Sequence, residues 1–158
     1  MKSIDVTKRN IYFYSALIVT LSVVILLVTG APVLTVALDS HKTIPLGTFI
    51  TWAGMVSLPF TLYWGVKELR KPTTKLNSIL SVCLKGIVVL GMLWVPLSYM
   101  LAGNLSFSFS ERSSFQGGQT AMKWFWRLSY GIGIGTVLIL LAYAISYFLR
   151  RRESRGNK

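Results

Sequence analysis

Four runs of mostly apolar, almost uncharged residues dominate the chain, at about 11–29, 46–66, 78–101 and 128–149, with short polar segments between them. A helix rises 1.5 Å per residue, so about 20 such residues cross a hydrocarbon core roughly 30 Å thick. Each run meets that length, and together they take up more than half of the chain. The pattern predicts an all-α membrane protein, a bundle of four transmembrane helices forming one polytopic domain over residues 1–158. The first run follows Lys2, Lys8 and Arg9 and exceeds the ~7–15 apolar residues of a cleaved leader. It is expected to stay as an uncleaved signal-anchor; Thr29-Gly30-Ala31-Pro32 is the one plausible cleavage neighbourhood.

The segments between the runs differ sharply in their basic residues. Of 17 Lys and Arg, twelve fall in three places: Lys2, Lys8 and Arg9; Lys67, Arg70, Lys71 and Lys75; and Arg150, Arg151, Arg152, Arg155 and Lys158. Lys42, Arg112, Lys123 and Arg127 lie in the other two segments, and Lys85 lies within a run. The positive-inside rule then places both termini and the 67–75 turn in the cytoplasm, with 30–45 and the longer 102–127 loop on the far side. A net charge of +12 invites a nucleic-acid reading. Topology already accounts for that charge, which is scattered rather than gathered on one face, so no nucleic-acid partner is expected. Composition agrees with membrane insertion: 14% of residues are charged, against about a quarter in soluble domains, and mean hydropathy is +0.56.

The short 67–75 turn, with Pro72, makes the second and third runs an antiparallel hairpin. Pro59 and Pro96 each remove a backbone donor and are expected to bend their helices. In the fourth run Gly131 and Gly135 stand four apart on one face, suited to close helix packing within the bundle or between copies of the chain. In the outer loop Leu105 to Ser110 alternates apolar and polar residues, an extended pattern. Phe107 and Phe109 either rest on the bilayer or the bundle, or join Arg112, Trp124 and Trp126 as contacts for a protein partner. Most other aromatic residues fall near membrane edges, where their amphipathic rings are favoured.

Little here supports catalysis. The five acidic residues, Asp5, Asp39, Glu68, Glu111 and Glu153, are scattered outside the runs, so paired acid–base chemistry is not expected. The one His41 and one Cys83 form no ligand cluster. Neither an enzyme, a metal nor a cofactor is expected. Lys85 breaks the apolar pattern, at a cost of about 2.5–3.5 kcal/mol near a helix centre. Either it snorkels to the cytoplasmic surface, or it faces the bundle and meets Ser57 and the Met55 carbonyl that Pro59 leaves free.

This layout, with the inner run Arg70-Lys71-Pro72-Thr73-Thr74-Lys75-Leu76 leading into an apolar helix, resembles the four-helix membrane immunity proteins against pore-forming colicins. The resemblance covers the arrangement and that turn; the outer loop matches no particular member. It implies a binding protein of the bacterial inner membrane that meets a toxin's pore-forming helices within the bilayer. Two other classes compete. One is a sensor or accessory subunit of an exclusion or phage-defence assembly that docks a cytoplasmic effector on its basic ends. The other is a small transporter, disfavoured by the absence of acidic residues in the runs.

Overall fold

The computed structural model describes residues 2–39, 44–106 and 115–156, and all its regular elements there are helical. They are α1 (Lys2–Thr29), a single 3-10 turn (Pro32–Thr35), α2 (Leu46–Gly65), α3 (Lys67–Arg70), α4 (Lys75–Met92), α5 (Trp94–Ala102) and α6 (Gly118–Gly156). Four of these, α1, α2, α4 and α6, are long and apolar enough to cross a membrane, which makes the chain a membrane protein.

Helix ends follow local chemistry. No Gly or Pro interrupts residues 2–29, and α1 stops where Gly30 takes φ +60°. There the Ala31 N–H donates to Leu26 O at 3.1 Å and the Gly30 N–H to Leu27 O at 3.3 Å, the paired closure that glycine permits. Thr74 caps α4 by accepting from the Asn77 N–H, which satisfies a donor that has no partner within the helix.

The third run is not one helix. It breaks at Leu93, because Pro96 offers no N–H to Met92 O and fits best within the first turn of a new helix. Pro59, by contrast, lies inside a continuous α2. Trp52 Nε1 donates to the carbonyls at the break, 3.1 Å to Gly91 O and 3.2 Å to Met92 O. The carbonyl freed by Pro59, that of Met55, faces α4 at Gly91, where a Cβ would lie only 2.7 Å from it. The acceptor released by Pro96 thus receives a donor from α2, as backbone at membrane depth requires, and the one released by Pro59 lies against the bare Gly91 backbone.

Helices α2, α4 and α6 pack on one another, while α1 packs chiefly on α2. Two apolar centres result. Leu62, Leu69, Leu80, Leu84 and Ile139 gather near the α2–α4 connection. Trp94, Ala102, Phe125 and Ile132 gather near the opposite end, beside α5. Much of the buried polar set is small: Thr20, Thr48, Ser57, Ser81, Ser98, Ser129 and Thr136. The outside is greasy, with Val28 and Met100 about four-fifths exposed. Small polar residues inside and large apolar ones outside suit a lipid solvent, and so broad an apolar surface does not suit water.

Candidate functional site

At one end of the molecule the basic segments meet. The ring of Tyr12 lies 4.9 Å from that of Trp64, and the Arg70 guanidinium sits 5.3 Å over the same Trp64 ring. Tyr143 of α6 donates to Glu68 Oε2 at 3.0 Å. Arg150 reaches Ser146 Oγ at 2.8 Å, Thr74 Oγ1 at 3.2 Å and Asn77 Oδ1 at 3.4 Å. The 67–75 turn is therefore tied to the end of α6 by side chains. Asn77 is almost wholly buried beneath that tie.

The other end is closed by the roots of the 102–127 loop. Thr48 donates to Leu105 O, the Gln116 N–H to Ala102 O, and Trp94 Nε1 to Ser129 Oγ at 2.8 Å. Gly103 ends α5 at φ +72°, with Gln116 packed so closely over it that any Cβ would collide. The two ends of the loop are thus drawn together. Phe107, Phe109 and Arg112 lie between them, outside the described residues, as does the extended pattern expected over Leu105 to Ser110 beyond Ser106.

Trp124 and Trp126 are described, and neither sits in an interfacial loop: α6 begins ten residues before the fourth apolar run. The two rings flank the buried Phe125, both exposed, on different faces of the helix. Trp124 lies beneath the Arg127 guanidinium at 5.1 Å. Trp126 stacks on Tyr130 with centroids 5.4 Å apart. Tyr130 in turn lines a groove of about 420 Å³ between α6 and α2, continued by Gly133, Ile134, Val137 and Leu138, with Met55 and Leu58 on the facing wall. Trp126, Tyr130, Gly133 and Val137 follow helical spacing, so one stripe runs from the aromatic pair into the groove.

Gly131 and Gly135 separate in role. Gly135 admits Ile87 of α4, whose Cδ1 would lie 2.9 Å from an added Cβ, whereas Gly131 is exposed and faces open space. Packing inside the bundle uses one glycine of the pair.

The Lys85–Ser57 contact is not formed. Lys85 is exposed, and Ser57 is buried against α1, with Thr20 Oγ1 at 2.9 Å and Thr61 Oγ1 at 3.3 Å from that same threonine hydroxyl. The cause is facing as well as register: Ser57 turns toward α1 and Lys85 turns outward. Gly91 stands level with Met55, which puts Lys85 level with Thr61, about 6 Å along α2 from Ser57. An outward-facing lysine at that depth fits the snorkelling alternative.

A second, larger groove of about 580 Å³ lies between α1 and α2, reaching the α4 end at Met92. Its walls are apolar, and neither groove was foreseen from the sequence. The α6 groove depends on where α2 packs against α6, and the α1–α2 groove follows from α1 leaning on a single neighbour. Compared with models of known protein families, with characterised proteins and with solved structures, the chain finds no match.

Proposed function

We propose that this chain is a binding protein of the bacterial inner membrane that receives a helix of a pore-forming toxin or effector within the bilayer and so confers immunity. The observation that carries the reading is the stripe on α6: an exposed Trp126–Tyr130 stack continuing into an apolar groove where Gly133 leaves room for an approaching helix. Apolar grooves read by helices at such spacing are a recurrent recognition mode, and small residues allow close approach in lipid. The basic segments put both termini and the 67–75 turn in the cytoplasm by the positive-inside rule. The Trp126 end then lies on the far side, where a toxin arrives.

The experiment is protection. A sensitive bacterium expressing the chain is challenged with pore-forming toxins, and the expected result is survival against at least one. Gly133→Leu, which fills the groove from a position with free space around it, should abolish survival while membrane levels stay unchanged. Protection that persists in Gly133→Leu, or protection against no toxin, removes the proposal.

A second reading, an accessory subunit of an exclusion or phage-defence assembly, is favoured by one feature. The α6 helix continues past the apolar run to Gly156, and Arg151 and Arg152 are exposed on it. Resistance to phage that is lost in Arg151→Gln/Arg152→Gln would select it.

A further inference from the structure

The α1–α2 groove differs from the α6 groove in length and in charge. On α2 its lining runs from Trp52 to Trp64, about 18 Å at 1.5 Å per residue. That is close to one leaflet, about half of a 30 Å hydrocarbon core. A crossing helix would need the whole thickness, and this groove stops where Trp52 meets Met92. Its length suits an acyl chain lying along Ala16, Val19, Ala53 and Phe60.

One mouth of the groove is basic. Lys8 precedes Tyr12 by one helical turn on the same face of α1, and its side chain is exposed. Across the mouth Arg70 sits over Trp64, and its Nε is buried with no hydrogen-bond partner. The nearby carboxylate of Glu68 is engaged by Tyr143. Lys67 and Lys71 are exposed beside Arg70. Aromatic rings at the mouth, cations above them and an apolar trough one leaflet deep together describe a phospholipid of negative charge.

We propose that the α1–α2 groove binds one anionic glycerophospholipid, its acyl chain along the groove and its phosphate held by Lys8 and Arg70. The proposal stands apart from the partner reading, since it uses a different face and does not depend on which side of the membrane the basic end occupies. It gives α1, the least buried of the four spanning helices, a lipid as its second contact.

The test is lipid retention by the full chain in detergent, read by native mass spectrometry with dioleoyl phosphatidylglycerol and dioleoyl phosphatidylcholine in equal amounts. Preference for phosphatidylglycerol should be about fivefold for each of the two cations, from roughly 1 kcal/mol per basic residue at a lipid surface. Lys8→Gln/Arg70→Gln should remove that preference. Ala53→Phe, which fills the groove from an exposed position, should reduce retention of both lipids; Val19→Phe serves if Ala53→Phe loses helical content. Inorganic phosphate should leave the bound lipid in place. Equal retention of the two lipids by the unaltered chain overturns the proposal. So does displacement by phosphate, or lipid retention that a folded groove-filled variant leaves unchanged.

Discussion

Trp52 shows how one side chain settles a problem that the backbone creates. Pro96 takes a donor away from Met92 O, and the apolar surroundings supply no water to replace it. The indole N–H of Trp52 does so at 3.2 Å, and it also reaches Gly91 O. Where lipid leaves no water to take the donor's place, losing it costs about 1–3 kcal/mol. Trp52→Phe keeps a ring and loses the donor, so unfolding of the purified protein in detergent should show destabilisation of that order; unchanged stability would mean that the carbonyls at the break need no donor. The donor was not readable in advance. The sequence marks Pro59 and Pro96 as places where acceptors are released, but which side chain or backbone meets each one depends on register. An interhelical register four residues away from the assumed one moves Lys85 from Ser57 to the level of Thr61.

At the scale of elements, each of the four apolar runs overlaps one of the four helices long enough to span lipid, because length and hydropathy alone decide that property. Boundaries matched less well where polar residues continue a helix. Nothing between Gly118 and Leu128 breaks helical geometry, so α6 extends through Lys123 and Arg127. In the third run Pro96 ends one helix and opens another, where the sequence predicts a bend within one helix. The hydroxyl cluster of α1 and α2 was invisible too, since Thr20, Ser57 and Thr61 are ordinary residues until two helices bring them together. Interhelical hydrogen bonds of this type contribute about 0.6 kcal/mol each in membrane proteins. Thr20→Val, nearly isosteric, should therefore lower stability modestly, by about 0.5–1.5 kcal/mol, and increase protease sensitivity between α1 and α2. A loss of several kcal/mol would instead assign α1 a larger share of the fold than its one-sided packing suggests.

For the whole molecule, the decisive fact is the contrast between its ends. One end gathers Tyr12, Trp64, Arg70, Tyr143 and Arg150 with the 67–75 turn. The other carries the Trp94–Phe125 centre, the paired loop roots and the exposed tryptophans of α6. Charge distribution along the sequence anticipates that polarity; the grooves, which depend on how three helices pack and a fourth leans, it does not. The proposed partner surface and its direction of approach both rest on this polarity. The direct measurement is labelling with a membrane-impermeant maleimide in a Cys83→Ser background, with single cysteines at Gln116→Cys and Thr73→Cys, both exposed or partly exposed in connecting segments. Gln116→Cys should react in cells whose inner membrane is intact, and Thr73→Cys only after that membrane is opened. Labelling in the reverse order, or of both positions from one side, would contradict the account.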